Sequence, residues 1–256
     1  MGNSDRTSLG DRMKRYEEAS RTVLPDRLPI IIRIDGKAFH TYTRGCQRPF
    51  DTSLADVMVA TAQQLCEEVQ GAQLAYTQSD EISLLVHGYK RFNSSSWFDR
   101  QVQKMCSVAA AVASATFTAQ SYKIWRDSSI RPAVFDARAF VVPESDVCNY
   151  FLWRQQDCAR NSVQQLARSL FSHAQCQGKP GTELVKMCEQ AGHPWNMLEQ
   201  RWTRGSCIVR TVDGTYQDSE TGEVAVARGI WYVDHNIPVF SRDRDYVNRH
   251  LALIEE

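Results

Sequence analysis

The chain of 256 residues has no net charge, because thirty Lys and Arg balance thirty Asp and Glu. That excludes a uniformly basic or acidic surface, so any nucleic-acid footprint has to be local. Long apolar runs are also missing. The longest small-residue stretch, 107–118, is alanine-rich and broken by Ser and Thr, well short of the roughly 18 residues that cross a bilayer. It suits a helix packed closely on a sheet. The eight cysteines form no Cys-x-x-Cys pair and have no matching His-x-x-x-His, which excludes the common zinc-finger and redox motifs. Met1-Gly2-Asn3-Ser4-Asp5 carries no signal-peptide pattern, so reduced thiols and a cytosolic protein are expected. A Walker loop, internal repeats and low-complexity tracts are all absent. What remains is an ordinary globular composition: 43% hydrophobic residues can bury one large domain or two packed lobes.

The order of elements follows from periodicity. A polar helix is expected over 11–20, then a β-branched strand over 28–34 that Asp35-Gly36 terminates. Asp51 or Thr52 is placed to cap a helix whose apolar positions Leu54, Val57, Met58, Leu65 and Val69 recur at steps of about three to four residues. Strands over 73–77 and 82–86 flank Gln78-Ser79-Asp80-Glu81 at hairpin spacing. A second helix over 97–122 and a strand over 135–142 complete a β-α-β-β-α-β order, the split arrangement of ferredoxin-like domains and of polymerase and cyclase palms. After Ser145 the pattern turns helical, over 147–171 and 182–191, with a polar loop at 175–181 and a closing hairpin of 208–210 with 229–233. The expected fold is thus α+β, a palm over residues 1–145 followed by a mainly helical lobe over 146–256.

In this topology the end of the first strand and the β2–β3 hairpin are neighbours, so Asp35 and Asp80 are expected at one edge of the sheet. An Asp-Gly after a strand and a Ser-Asp in a hairpin are each most often turns. Together they form a carboxylate pair suited to Mg²⁺, which takes oxygen ligands and keeps water and phosphate in its shell. The Gly36 carbonyl is free to approach because glycine has no side chain. Glu81 follows Asp80 directly and is expected on the opposite face, supporting the acids from behind. Arg154, Asp157 and Asn161 share a helix face at steps of three and four, a pattern that surface ion pairing also explains. His40, a lone histidine after a strand, is more often structural than a base.

Six strings then occur in order: Arg-Ile-Asp-Gly-Lys-Ala-Phe-His at 33–40, Arg-Pro-Phe-Asp at 48–51, Tyr-Thr-Gln-Ser-Asp-Glu-Ile-Ser at 76–83, Phe-Asp-Ala-Arg at 135–138, Tyr-Phe-Leu-Trp-Arg-Gln-Gln-Asp-Cys-Ala-Arg-Asn-Ser at 150–162, and Trp195-Asn196 with Thr203-Arg204-Gly205-Ser206. In this the chain resembles the tRNA-His guanylyltransferase (Thg1-like) family over roughly residues 10–210. The resemblance implies a reverse-direction RNA polymerase, adding nucleotides to a tRNA 5′ end by attack of an incoming NTP's 3′-hydroxyl on an activated 5′ phosphate. It implies two Mg²⁺ ions on Asp35, the Gly36 carbonyl and Asp80, and a triphosphate held by Asp35, Gly36, Lys37, Ala38, Phe39 and His40 with Ser79 and Asp80. Arg48 belongs to the same nucleotide site, standing where the family usually has Lys. Arg138, Arg154, Asp157, Arg160 and Asn161 are implied for the RNA 5′ end or for the activating triphosphate, ATP or GTP. Homotetrameric assembly follows from the same resemblance. Members dedicated to histidine tRNA typically carry His-Ile-Asn-Asn where this chain has Ala159-Arg160-Asn161-Ser162, which favours templated repair of truncated tRNA 5′ ends.

Two other functions use the same fold. A nucleotidyl cyclase shares the palm, the acids and the metals, and the Arg-Gln-Gln-Asp helix at 154–157 argues against it. A non-catalytic RNA-binding module would present its aromatic residues as stacking surfaces; the intact Asp35, Gly36 and Asp80 argue against a dead site.

Overall fold

The computed structural model describes residues 8–88, 95–125, 131–211, 214–217, 224–227 and 229–251. Its frame is one antiparallel sheet. Strand β1 (Ile30–Gly36) lies between β4 (Phe135–Val141) and β3 (Glu81–Val86), and β2 (Ala72–Gln78) follows β3, giving the order β4-β1-β3-β2 expected of a ferredoxin-like palm. The sheet continues across the division expected at 145/146. Strand β5 (Ser206–Arg210) pairs with β2, and β8 (Trp231–Asp234) pairs with β5, so the C-terminal strand pair is built into the palm sheet. Between them β6 (Gly214–Gln217) and β7 (Val224–Ala227) form a separate ribbon, which the turn-rich sequence around it had concealed.

Helices cover both faces. On one side α3 (Thr52–Glu68) and α4 (Val102–Trp125) pack against Ile30, Ile32, Ile34, Ile82 and Leu84. Asp51 caps α3, its carboxylate accepting from the Leu54 N–H at 2.9 Å. The alanine stripe of α4 works as expected: Met105, Ala109, Ala113 and Phe117 are buried at steps of four, letting the helix lie close on the sheet. This helix starts later than its periodicity suggested, because Phe98, Asp99 and Arg100 take positive φ and form a 3₁₀ turn.

On the other side Ile31, Leu74, Tyr76 and Leu85 meet Val147, Tyr150 and Phe151 of α5 (Glu144–Leu170), together with Ile237, Phe240 and Tyr246 from the C-terminal segment. Each fully buried Ile or Leu in these two layers contributes roughly 2 kcal/mol of apolar transfer. The C-terminal half of α5 runs past the sheet edge, where α6 (His173–Cys176) and α7 (Gly181–Gln190) build a small third core. Helix α8 (Gln200–Arg204) leads into β5; α9 (Asp245–Asn248) closes the second face. At the start, α1 (Leu9–Ala19) buries none of its residues, and α2 (Phe39–Tyr42) is a single turn after β1. No helix among the described residues is long and apolar enough to cross a membrane.

Candidate functional site

Antiparallel pairing brings the two acids together. Asp35 stands opposite Glu81 on β3 and Asp136 on β4, and the Gly36 N–H donates to the Asp80 carbonyl at 3.0 Å. That bond ties the end of β1 to the two-residue turn Ser79-Asp80 between β2 and β3. Burial pushes the Asp80 carboxyl above the ordinary carboxylate range; hydrogen bonds from the turn backbone and from Ser79 pull it back, and the charge of nearby Asp35 pushes it further up. A bound cation relieves that repulsion.

The donor set is hard. Two carboxylates and a backbone carbonyl suit an oxygen-coordinated ion such as Mg²⁺, not the nitrogen and sulfur donors of a zinc site. No cluster of three or more His, Cys, Asp or Glu that would form a complete protein cage occurs among the described residues. The remaining positions around a cation therefore suit water and phosphate oxygens, as Mg²⁺ prefers.

Gly36 is required by packing. A Cβ there would lie 2.3 Å from Phe39 Cδ2, since the Phe39 ring folds back over the glycine. That ring is caged by Tyr42, Phe117 and Phe135 at centroid distances of 5.1, 5.3 and 5.0 Å. Ala38 turns the chain into this cage with φ 55 and ψ 35, and Ser79 likewise has positive φ, so both turns around the acids hold non-glycine residues in the left-handed region. The amides of Ala38, Phe39 and His40 find no protein acceptor among the described residues, whereas the Lys37 amide donates to the Val134 carbonyl at 2.8 Å.

A cleft of about 560 Å³ opens along this sheet edge between α3 and α5. Gly36, Ala38, Phe39, His40, Arg48, Ser79, Asp80 and Asn161 of the expected residues line it. Asp35 and Lys37 stand beside it at the end of β1, outside the lining.

The other expected residues lie on the α5 side of the sheet. Glu81 is 4% exposed and forms ion pairs with Arg154 at 2.7 Å and Arg33 at 3.1 Å. Its burial raises its pKa, while Arg154 and Arg33 pull it down. Arg154 has only 5% side-chain exposure; its guanidinium reaches Asp157 at 3.3 Å and sits 3.7 Å over the Trp153 ring. Asp157 also binds Arg160 at 2.7 Å, and the exposed Arg138 pairs with Asp136 at 3.6 Å. Arg154 is therefore an internal counter-ion of Glu81, and only Asn161 of the α5 set faces the cleft.

Several lining residues were not singled out from the sequence. Gln165 and Arg168 extend from Asn161 at steps of four and three along α5, a polar stripe that helical periodicity would have shown. Phe50 stacks on Trp202 at 4.9 Å and 9°, and Arg201 binds Asp56 at 3.1 Å, so α8 is fastened to the first turns of α3 across the far end of the cleft. Ser206 and His235 line the cleft from β5 and the end of β8. Ser206 ends the last of the six strings without a role of its own and no local signal marks His235, because only strand pairing between distant segments brings the two to the site.

Comparison with known proteins places this arrangement. A family model described as tRNAHis guanylyltransferase matches residues 10–143, just over half of the chain. A bacterial Thg1-like protein solved with ATP is 42% identical and superposes with a TM-score of 0.85 over 96% of this chain and all of that one. A bacterial Thg1-like protein solved with GTP is 39% identical, with a TM-score of 0.78 at the same coverage. Among curated sequences, the tRNA(His) guanylyltransferase of Schizosaccharomyces pombe is 31% identical over 154 residues, 59% of this chain and 56% of that protein. The chain spans about half the length of the curated animal and fungal guanylyltransferases it matches.

Proposed function

Since the chain belongs to the tRNA-His guanylyltransferase family, we propose that it is a Mg²⁺-dependent nucleotidyltransferase that adds nucleotides to the 5′ end of tRNA, extending RNA in the 3′ to 5′ direction. The observation that carries this reading is a cleft of about 560 Å³ lined by Asp80, with Asp35 beside it, together with the turn at residues 38–40, the apolar residues Leu54, Met58 and Val59, and the polar stripe Asn161, Gln165 and Arg168. The bacterial relatives solved with ATP and with GTP support a nucleotide in that cleft.

Asp35, Asp80 and the Gly36 carbonyl would hold the metal, which when bound lowers the pKa of an attacking hydroxyl and offsets charge on a leaving pyrophosphate. The protein's own contribution is placement. The Gly36 to Asp80 backbone bond keeps the two acids in register. The amides of residues 38–40 offer donors to phosphate oxygens without a Walker loop. Lys37, His40, Arg48 and Ser79 supply charge and hydrogen bonds around the same triphosphate, with Arg48 able to meet phosphate in a bidentate way that Lys does not.

Asn161, Gln165 and Arg168 form a rail leading from the acids toward the helical lobe, where the RNA 5′ end and an activating ATP or GTP would approach. Arg138 and Arg160 are exposed on the same side of the sheet and suit RNA phosphates. Arg154, Asp157 and Glu81 act from behind the site by fixing α5 to β3. The Ala159-Arg160-Asn161-Ser162 string favours templated repair over dedicated guanylylation of histidine tRNA. A cytosolic homotetramer, with residues 1–145 as the catalytic palm and the helical lobe helping to hold RNA, completes the reading.

The test is NTP turnover with Mg²⁺ in the presence and absence of tRNA. Turnover that requires RNA supports the polymerase; RNA-independent release of pyrophosphate indicates a cyclase, and NTP binding without turnover a non-catalytic module.

A further inference from the structure

Trp153 lies beside the acids on α5. Successive strand residues alternate faces, so Ile31, Arg33 and Asp35 of β1 all point to the face on which Ile31 meets Val147 and Phe151. Two residues along a strand span about 6.7 Å. The Arg33 guanidinium carbon is 5.9 Å from the Trp153 ring centroid, so one side chain separates that ring from Asp35. Asn161, where the polar stripe of the cleft begins, stands about two turns further along the helix, roughly 12 Å away.

The ring is a prepared platform. Beneath it Arg154 has 5% side-chain exposure and is fixed by Glu81 at 2.7 Å and Asp157 at 3.3 Å, its guanidinium carbon 3.7 Å from the ring centroid. The electron-rich face of an indole attracts a cation placed there. Tyr150 meets the ring at 5.9 Å and 65°, its own hydroxyl hydrogen-bonded to Ser83 Oγ at 2.8 Å. Trp153 nevertheless remains 46% exposed. A scattered exposed aromatic needs no explanation. This one is clamped on its inner face and its edge by buried partners next to a carboxylate pair, and such clamping removes in advance the side-chain entropy that binding would otherwise cost. Because Arg154 takes the inner face, the outer face is left to solvent. The surroundings are basic: Arg33 stands opposite Arg138 on β4, and Arg138 and Arg160 each have 60% side-chain exposure. Asp136 and Asp157 hold those two in surface ion pairs, weak enough to exchange for phosphate.

We infer that the outer face of Trp153 stacks on the 5′-terminal base of the RNA, holding its 5′ phosphate at the acids while Arg138 and Arg160 take the phosphates that follow. Stacking accepts every base, since each has a flat π face, so the platform fits templated addition, in which the terminal base changes with each step. The inference rests on the RNA reading of the site and adds to it the residue that positions the RNA end.

Equilibrium binding of tRNA, with the 5′-terminal base present or removed to leave an abasic ribose, tests this on wild type, Trp153→Leu and Trp153→Phe. Leucine keeps apolar cover over Arg154 without a flat ring. Trp153→Leu is expected to weaken binding of the intact RNA by about tenfold, within the range for one stacked base, and Trp153→Phe to recover most of the loss. On abasic RNA, wild type is expected to lose the same factor and Trp153→Leu nothing further. GTP affinity with Mg²⁺ and the salt dependence of tRNA binding, which counts phosphate contacts, are expected to stay as in wild type. Wild type that binds intact and abasic RNA equally would overturn the inference without recourse to a variant. So would an equal loss on both RNAs in Trp153→Leu, no loss, or a loss of GTP affinity matching that of RNA. Wild-type protein that binds GTP but neither RNA would overturn the RNA reading of the site itself, whatever the variants do.

Discussion

Gly36→Ala isolates the packing beneath the acid pair. The added methyl would sit 2.3 Å from Phe39 Cδ2 and 2.6 Å from Cε2 and Cγ. Ordinary carbon contacts are about 3.5 Å or more, so the ring must retreat by about 1.2 Å. It has nowhere to go, with Tyr42 stacked at 5.1 Å and Phe117 and Phe135 at 5.3 and 5.0 Å. Overpacking of this kind costs about 2 kcal/mol, which in a chain of this size lowers Tm by about 6 °C. The turn at 37–40 moves with the ring, so nucleotide affinity falls in the same variant. Shortening the neighbour relieves the clash: in Gly36→Ala/Phe39→Leu the two effects are less than additive by about 1 kcal/mol. Thermal melts of wild type, both single variants and the double variant form the cycle. Additive losses, or a Gly36→Ala protein as stable as wild type, would refute the claim that Phe39 dictates the glycine.

Arg154→Met leaves Glu81 buried with only Arg33, and urea unfolding should show a loss of about 3 kcal/mol, while Arg154→Met/Glu81→Leu should recover much of it. Glu81→Gln keeps the shape and should cost less than Arg154→Met in the same assay. His250 is held near 4 instead of 6.5 by burial, with the Arg249 charge adding to it. Its folded pKa is depressed, so the unfolded chain binds the proton more readily across that window. The stabilisation is present in full above about pH 6.5 and is lost as pH falls toward about 4, an effect of the order of 2 kcal/mol after allowance for partial exposure. Melts of wild type and His250→Leu at about pH 7.5 and about pH 5 should show the larger acid loss in wild type.

The palm was legible because its signals are local. A β-branched strand ending in Asp-Gly, an Asp-capped amphipathic helix and a two-residue hairpin spell β-α-β-β-α-β within residues 30–141, and pairing of β1 with β3 and β4 follows from that order. The closeness of Asp35 and Asp80 follows from the same order, the end of β1 being tied to the β2–β3 turn. The site's other wall was not legible. Ser206 and His235 reach the cleft through pairings of β5 with β2 and of β8 with β5, contacts that span more than a hundred residues in the first case and an intervening ribbon in the second. Arg154 shows the limit of face arguments. Helical steps of three and four placed it with Asp157 and Asn161, yet the sheet packs against that helix so closely that its guanidinium is consumed by Glu81, and only Asn161 remains on the cleft.

The most direct test follows the 5′ end of a 5′-triphosphorylated tRNA lacking its first nucleotide, at single-nucleotide resolution, with Mg²⁺ and all four NTPs, for wild type, Asp35→Asn and Asp80→Asn. Both substitutions keep the side-chain shape and remove the charge, and far-UV circular dichroism confirms that each variant is folded. The account predicts templated extension by wild type and none by either variant. Extension that survives both substitutions would contradict the assignment of the acid pair, and folded, NTP-binding wild type that leaves the RNA unextended would contradict the reaction itself.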